Sequence, residues 1–418
     1  MEYGLRNQRE LRNWVAAVLG IIILLVGLTW ANHFYAVRNP GGNDFLVHWM
    51  GTRSLLVDGI SPYSDEVAGR IQTMVYGRLA QAGEHQLRVA YPLYSITLFF
   101  PFALIPDFTL ARAVWMTVLE LGLVGLAIFS VRLADWRPGF AMMVSFVLFS
   151  VLWYHGLRPL INGNAVILVA FAAVAGLTAI RAKAEELAGV LFAFMTIKPQ
   201  VALVFLIYIT YWGFVGKHWR MLGWLFGAVA TLTFVSTLLI PDWIIQNLRE
   251  VVLYPSYNPP GTPAAIFAEW LPATGQRLGL GLTILLTIML LVEWVLSLKH
   301  EFRGFLWTCC LTLTASQWIG LQTDPGNFIM LLPVLALLFA IIDERYRTLG
   351  KWFIWFLMIA LVVGVWWLFM STVTYGYQPV QSSVMFFPVV GLCLVLLFWV
   401  RWWAIRPAQL LYDRFTIR

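Results

Sequence analysis

The chain has 418 residues, of which 60% are hydrophobic and only 12% are charged, with 21 Trp and 29 Phe. A soluble domain carries about 25% charged residues, so this composition excludes an ordinary globular enzyme and indicates a protein whose surface mostly faces lipid. Disorder and a collagen-like fibre are also excluded, because apolar residues dominate and the glycines follow no period. We attribute the formal charge of +7 to membrane topology, because Lys and Arg collect in cytoplasmic loops, and we expect no nucleic-acid partner.

Membrane-spanning helices are predicted along most of the chain, since such a helix needs about 20 apolar residues. The first apolar run follows Arg6, Arg9 and Arg12, as in a signal peptide, but it is long and no small-residue cleavage site follows. We therefore predict an uncleaved anchor. The candidate spans are 14–31, 109–131, 139–154, 163–180, 187–198, 200–216, 221–240, 278–298, 305–321, 328–342, 352–370 and 384–400.

The segment 92–106 does not fit this scheme, because it is apolar but short and Pro101 interrupts it. If it crossed the membrane, every later loop would change sides and the basic clusters at Arg181 and Arg345 would lie outside. The positive-inside rule favours a re-entrant or juxtamembrane segment instead, which leaves twelve spans with both termini in the cytoplasm.

The predicted fold is thus a single all-α transmembrane domain, 1–418. Most of the 28 Lys and Arg residues then lie on the cytoplasmic side, as the positive-inside rule requires. The predicted segments are the first span 14–31, the outer loop 32–108, the core spans in 109–240, the second outer loop 241–277, the C-terminal spans in 278–400 and a cytoplasmic tail 401–418.

The first outer loop contains the strongest candidate for catalysis. Residues 43–56 predict an interfacial helix, in which Phe45, Trp49 and Leu56 form an apolar stripe suited to the membrane surface. Asp44 follows the first span at the water boundary, where a carboxylate can act as a general base on a hydroxyl. The alternative is that Asp44 caps the N-terminus of this helix, a position that Asp favours.

Two basic residues lie in short outer turns, where Lys and Arg are normally rare. Lys198, beside Pro199, would meet an anionic lipid phosphate, or it would be a snorkelling side chain among headgroups. Arg158 lies in the predicted turn 155–162, either as an anion ligand or as an ordinary surface residue. Local exceptions of this kind often mark functional sites.

The remaining polar residues in turns and apolar spans mostly have structural interpretations. The run from Asp324 to Asn327 has the composition of a turn, and we favour that structural interpretation. Glu293 is expected to reach the inner interface near Lys299, whereas Glu120 lies within a span without an evident partner. His48 and His155 stay open between a structural and a catalytic role.

Known metal and cofactor motifs are missing from the sequence. There is no phosphate-binding loop, zinc-protease helix, EF-hand or dinucleotide glycine motif. The three cysteines, Cys309, Cys310 and Cys393, lie inside apolar runs, which predicts neither disulfides nor a zinc site. We therefore expect no metal and no cofactor, and any donor substrate should itself be lipid-borne.

Four blocks of sequence carry a resemblance to a known family. They are Asp44 with Leu55-Leu56, Gly59 and Pro62-Tyr63; Tyr91-Pro92 with Pro101 to Pro106 and Trp115; Asn162-Gly163-Asn164 with Ala188-Gly189 and Lys198-Pro199; and Asp324-Pro325 with Leu332-Pro333. In this order they resemble the family 87 glycosyltransferases, polyprenol-phosphate-mannose-dependent mannosyltransferases of the glycosyltransferase-C superfamily. Within that family the chain is similar to actinobacterial phosphatidylinositol-mannoside mannosyltransferases. Asn327-Phe328 stands where the family often has a histidine, so the role of that histidine is not carried over.

The resemblance implies a glycosyltransferase-C-like bundle of about 12 transmembrane helices. It also implies an inverting transfer of a sugar, mannose first, from a polyprenyl-phosphate donor to a lipid or glycan hydroxyl at the outer face of the plasma membrane. We expect the chain to act as a monomer. The rival hypothesis is a lipid or glycan transporter or flippase without chemistry, although such proteins tend to have paired broken helices in repeated halves.

Residue roles follow from the same resemblance. Asp44 matches the catalytic Asp of the family, and a single base suffices for an inverting reaction. The other implied site residues are Lys198 and Arg158 for the donor phosphate, and His48, Tyr63, Tyr91, Asn162 and Asn164 for substrate.

Overall fold

The computed structural model describes residues 2–258, 261–375 and 379–405, with side chains from residue 12 onward except that of Tyr375. This part of the chain is almost entirely helical. The helices are α1 (Glu2–Arg38), α2 (Asn43–Arg53), α3 (Asp65–Tyr76), α4 (Ile96–Ala103), α5 (Phe108–Leu133), α6 (Phe140–Leu152), α7 (Tyr154–Asn162), α8 (Val166–Arg181), α9 (Glu185–Met195), α10 (Pro199–Val215), α11 (Trp219–Leu239), α12 (Trp243–Leu253), α13 (Pro263–Trp270), α14 (Gly275–Ser297), α15 (Phe302–Ala315), α16 (Leu332–Thr372) and α17 (Pro388–Ile405).

The non-α-helical elements are short. Thr374–Tyr375 pairs with Pro379–Val380 in an antiparallel bridge. A π-helical turn, Ser54–Asp58, continues α2, and a 3₁₀ segment, Pro325–Leu331, leads into α16. Strands contribute almost nothing, so the architecture among the described residues is that of a helical bundle.

By length and composition, six helical segments of the described chain can cross a membrane, or seven if the bent pair α6–α7 counts as one span. The chain is therefore an all-α, multi-pass membrane protein, but the predicted number of twelve spans is not confirmed. The other predicted spans also form helices, yet α9 has only 11 residues and α15 only 14, fewer than the about 20 needed to cross alone. Nearly every residue of α15 is buried, so neighbouring helices surround it.

Helix α5 organises the part of the bundle that carries the site. It packs against α1, α6, α8 and α16, and its buried face includes Trp115 near the end that meets α2. Phe45 of α2 stacks on the Trp115 ring with centroids 5.4 Å apart. The first residues of α2 are thereby held directly over the end of a long helix.

The prediction of an interfacial stripe on α2 is wrong. Phe45 and Trp49 are 0% and 4% exposed, although Leu56 is exposed. Trp49 Nε1 lies 3.2 Å from the carbonyl oxygens of both Phe102 and Ile105, at the end of α4. An aromatic stripe has the same spacing whether it faces lipid or protein, which is why the pattern could not separate the two.

One predicted turn is helical, because residues 155–162 belong to α7, which bends by 50° from α6. The predicted inner loop 343–351 coincides with a sharp break inside the range of α16, which consists of two helices joined at Arg347 (φ 50°, ψ −117°). The chain folds back on itself there, since a Cβ at Gly350 would lie 2.5 Å from the carbonyl oxygen of Ile342. The segment 92–106 contains a 3₁₀ turn at 93–95 followed by the eight residues of α4, and its sidedness stays a prediction.

The acidic residues inside apolar helices have partners. Glu293 is paired with Arg401 rather than Lys299, through bonds of 2.9 and 3.0 Å from the guanidinium to its two carboxylate oxygens. Glu120 accepts a 2.9 Å hydrogen bond from Asn32 of α1. Both interactions satisfy a polar group that would be costly to leave unpaired at membrane depth.

Candidate active site

The start of α2 is fixed by residues far from it in sequence. Gly42 has φ +77°, and a Cβ there would lie 2.5 Å from Nε of Arg112. The guanidinium of Arg112 donates to the carbonyls of Asn39 and Ile161 at 2.8 and 3.1 Å. The side-chain oxygen of Asn162 accepts the backbone N–H of Asn43 at 3.2 Å. The ends of α1 and α7 thus hold the turn that carries Asp44.

Asp44 does not cap α2 with its side chain. Instead, one carboxylate oxygen accepts a 2.8 Å hydrogen bond from the side-chain amide of Asn164. The Asn164 carbonyl oxygen accepts from Nζ of Lys198 at 2.6 Å and from the backbone N–H of Val166 at 2.9 Å. Because these two donors occupy the oxygen, the amide nitrogen must point to Asp44. Asn164 therefore links the carboxylate and the ammonium in one fixed order.

Lys198 lies between α9 and α10 and is only 3% exposed. Its ammonium sits 5.5 Å from the centre of the Tyr91 ring and donates to Asn164, so the interpretation as a snorkelling headgroup anchor is wrong. Burial lowers the pKa of Lys198 to about 8, against the opposing effects of Asp44 and Asp324. The residue is thus a buried cation that titrates near neutral pH.

The pKa of Asp44 is raised above its ordinary value, chiefly by burial and to a smaller extent by Asp324. Lys198, the hydrogen bond from Asn164 and the charge of Arg158 oppose this rise. Asp44 as a residue is nevertheless partly exposed, which is compatible with the approach of a substrate hydroxyl. A partly open carboxylate with raised basicity has the properties of a general base.

His48 and Tyr63, for which a contact with substrate stays a prediction, pack against Tyr91. The His48 ring stacks on Phe99 at 4.6 Å and lies 3.9 Å from the Tyr91 ring. Burial and Lys198 lower the pKa of His48 to about 3, which keeps it neutral. The Tyr63 hydroxyl donates to the backbone carbonyl of Tyr91 at 2.8 Å. These two residues fix the ring that faces Lys198.

Arg158 and Asn162 have different surroundings. The guanidinium of Arg158 lies 5.8 Å from the ring centres of both Tyr154 and Phe369, on the partly exposed surface of α7. Its charge reaches Asp44, whose pKa it lowers. The side-chain oxygen of Asn162 holds the backbone of Asn43 at the start of α2, and its contact with substrate stays a prediction.

Asp324 is the site residue that the sequence interpretation missed. The predicted turn is present, because Asp324 accepts the backbone N–H of Gly326 at 2.6 Å. However, its carboxylate is exposed, and its charge raises the pKa of both Asp44 and Lys198. Because turn formation already accounts for an Asp at this position, the sequence gives no sign that Asp324 also acts on the charges of Asp44 and Lys198. The signal available was its predicted position on the same side as Asp44 and Lys198.

No group of three or more His, Cys, Asp or Glu side chains within the described ranges could hold a metal ion. The positive charges near Asp44 are instead those of Lys198 and Arg158. Together with Asp324, these give the site two anionic and two cationic side chains. These four charges sum to zero, so Lys198 and Arg158 are the groups with which an anionic ligand could pair.

Gly163 allows Asn164 to reach Asp44, and its replacement should be damaging. Its φ is +75°, and a Cβ would lie 2.5 Å from Cβ of Phe45. We expect Gly163→Ala to lose about 1–2 kcal/mol from the left-handed backbone alone, more from the overlap with Phe45, and most of its activity. Gly77→Ala is the matched control, because Gly77 has φ +70° and open space around it. Equal thermal stability of the two variants would contradict this assignment.

Comparison with known proteins places this geometry in context. The family model described as Glycosyltransferase family 87 matches residues 90–316, which is more than half of the chain. Arg158, Asn164 and Lys198 lie inside the matched region, whereas Asp44 and Asp324 lie outside it. Searches of curated proteins and of solved structures gave no significant match. The chain belongs to glycosyltransferase family 87 and is a multi-pass membrane glycosyltransferase.

Proposed function

We propose that the protein transfers a sugar, mannose first among the candidates, from a polyprenyl-phosphate donor to a hydroxyl of a lipid or glycan acceptor. Transfer takes place at the outer face of the plasma membrane with inversion at the anomeric carbon. The observation that carries this proposal is the hydrogen-bonded series Asp44–Asn164–Lys198, which holds a base and a cation side by side. Membership of family 87 supports the reaction class.

In the proposed reaction, Asp44 accepts the proton of the acceptor hydroxyl as its oxygen bonds to the anomeric carbon. The bond from that carbon to the phosphate oxygen breaks on the opposite face, and its electron pair stays on the phosphate. The donor phosphodiester, with one negative charge, leaves as a monoester with a second. Negative charge thus passes from Asp44 to the phosphate, while the net charge of the site stays constant.

The two cations suit this charge movement. Lys198 offsets the Asp44 carboxylate before transfer and can offset the phosphate after it, because Asn164 keeps it beside both. Arg158 is a second phosphate ligand in the proposal, on the more open side of α7. A fixed cation aimed at a leaving group that gains charge stabilises the transition state more than the ground state.

The contacts of the polar loops support the proposed topology. The outer segments and outer span ends of the prediction, which carry Asp44, Asn164, Lys198 and Asp324, meet at one site. Segments predicted inside also pair with each other: Arg181 with Asp135 at 2.8 Å, His218 with Glu185 at 2.7 Å, and Arg303 with Glu344 at 2.7 Å. An arrangement with opposite sidedness for any one of these loops would have to break such contacts.

Cysteine labelling tests the sidedness directly. We expect Asp107→Cys to react with an impermeant maleimide on intact cells, and Ala184→Cys to react only after permeabilisation. The three native cysteines are buried, so we expect little labelling of the parent protein. Labelling of the Ala184→Cys variant on intact cells would contradict the topology and place the site on the other face.

The reaction itself is tested with purified protein, radiolabelled polyprenyl-phosphate mannose and total membrane lipid. The proposal predicts a labelled glycolipid or glycan and unlabelled polyprenyl phosphate. Movement of intact donor across a liposome bilayer, without any labelled product, would instead support the transporter hypothesis. Turnover of another polyprenyl-phosphate sugar in preference to mannose would keep the reaction class and change only the sugar.

A further inference from the structure

Asp324 lies in a turn that is clamped from two sides. The carbonyl of Pro325 accepts Nδ1–H of His155 in α7 at 2.6 Å. On the other side, the backbone N–H of Thr323 donates to the carbonyl of Gly261 in the second outer loop at 3.1 Å. The 3₁₀ segment Pro325–Leu331 packs against both α7 and α8, the helices that flank Asn164. The turn is therefore part of the wall of the site.

The carboxylate of Asp324 is oriented but not neutralised. One oxygen accepts from Gly326, and the other accepts from the side-chain amide of Gln381 at 2.9 Å. Gln381 is itself fixed, because its carbonyl oxygen accepts the Tyr154 hydroxyl at 2.8 Å. Asp324 forms no salt bridge with a described side chain, and it remains exposed. Each oxygen keeps a lone pair that can accept another hydrogen bond.

Charge decides which part of the donor such a group can face. A fixed, unpaired carboxylate repels the phosphate, whereas the hydroxyls of a hexose are neutral donors that it can bind. The turn of Asp324 is held against α7 by His155 and leads into a segment that packs on α7 and α8, and its charge acts on both Asp44 and Lys198. We therefore place it beside the space between the base and the cation. An inverting displacement places the donor sugar in that space, because attack and departure occur on opposite faces of the anomeric carbon.

An aromatic ring follows the helix that contacts the backbone of Tyr91. Asn247 of α12 donates to the carbonyls of Ala90 and Tyr91, both at 3.0 Å. Tyr254 is the first residue after α12 and is partly exposed. Burial, and then the charges of Asp324 and Asp44, raise the pKa of Tyr254. Its ring packs edge-on against Tyr257 at 5.7 Å and His85 at 6.4 Å. Asn258 ties these together, since it accepts from His85 and donates to the Tyr254 carbonyl, both at 2.9 Å. The ring is therefore held in place rather than free to swing.

We propose that Asp324 and Tyr254 form the subsite for the donor sugar, an inference that rests on the proposed function. The Asp324 carboxylate accepts hydrogen bonds from sugar hydroxyls, and the Tyr254 ring covers an apolar face of the hexose. Small-molecule sites of this kind combine aromatic walls with a few fixed polar groups that set orientation and specificity. The pair would therefore contribute to the choice of sugar, whereas Lys198 and Arg158 recognise the phosphate common to all such donors.

Binding of two probes separates these roles. Purified protein in nanodiscs is titrated with polyprenyl phosphate and with polyprenyl-phosphate mannose. We expect Asp324→Asn to weaken binding of the sugar-bearing probe about tenfold or more, as for loss of hydrogen bonds to a charged group. Its affinity for bare polyprenyl phosphate should stay the same or increase, because a negative charge is removed. Tyr254→Ala should likewise weaken only the sugar-bearing probe, and Lys198→Met should weaken both.

Glu269→Gln is the matched control, because it removes an exposed carboxylate of α13 whose charge is not among those that shift the pKa of Asp44. It should change neither affinity. Equal effects of Asp324→Asn on both probes, or no effect on either, would overturn the assignment of the sugar subsite. If the parent protein binds neither probe, the proposed donor class is wrong and the subsite falls with it. An Asn side chain at this position can still accept the backbone N–H of Gly326. An unfolding temperature equal to that of the parent would show that Asp324→Asn folds normally.

Discussion

Replacement of Asp44 by Asn is expected to reduce the rate of sugar transfer about 10²–10⁴-fold, the usual cost of losing a general base. The amide has the same shape, and its oxygen can still accept the hydrogen bond from Asn164, but it cannot take up the acceptor proton. The fold should persist, because Arg112 and Asn162 hold the start of α2 through backbone groups. Donor affinity should change little for the same reason.

Single-turnover assays with bound donor measure this effect without interference from product release. Asp44→Glu is the informative companion variant, since it keeps the acid but moves it by one methylene, and we expect it to retain partial activity. Near-normal turnover by Asp44→Asn would show that the base lies elsewhere. His48 is neutral and packed between rings, so Asp324 would then be the first residue to test in that role.

Lys198→Met should lower catalytic efficiency about 10²–10³-fold, comparable to removal of one electrostatic stabiliser of a transition state. Two contributions are lost together: the positive charge near the leaving phosphate and the donor that holds Asn164. The backbone N–H of Val166 still binds Asn164, which limits the displacement of Asp44. Lys198→Arg should rescue partly, because the charge is kept while its shape differs.

The dependence of activity on pH tests whether the charge of Lys198 is required. The pKa of Lys198 is about 8, so the parent should lose activity as pH rises through this value and the ammonium deprotonates. On the acidic side, activity should fall as pH drops through the raised pKa of Asp44. Arg stays protonated, so Lys198→Arg should move the alkaline limb upward and leave the acidic limb in place. An unchanged alkaline limb would mean that another group titrates there.

The central pair of the site could be predicted from sequence because each residue violated a local expectation. Lys198 is a cation in an outer turn, and Asp44 is a carboxylate at the end of a span. The role of Asn164 as the link between them could not be predicted, since it depends on three segments separated by more than 30 residues in each direction. Asp324 was missed for the opposite reason, because a turn explained it completely.

The same contrast between local sequence patterns and contacts of distant segments applies to the fold. Apolar runs located the long helices, since periodicity and length are properties of a single segment, but the short helices α3, α7, α12 and α13 were not predicted. The surroundings of a helix are not a property of a single segment. For this reason the stripe on α2 was predicted to lie on the membrane surface, although Phe45 and Trp49 are buried in protein. The partner of Glu293 lies 108 residues away, so the sequence around Glu293 could not identify it.

The hydrogen bonds of Arg112 help to set the depth in the membrane at which the reaction can occur. Arg112 joins the ends of α1, α5 and α7 to the turn before Asp44, so the depth of the base is set by helices that adjust to bilayer thickness through tilt. The donor phosphate, in contrast, takes its depth from the lipid headgroups around it. For the proposed lipid-linked donor, we therefore expect the alignment of phosphate and base, and with it the activity, to depend on bilayer thickness.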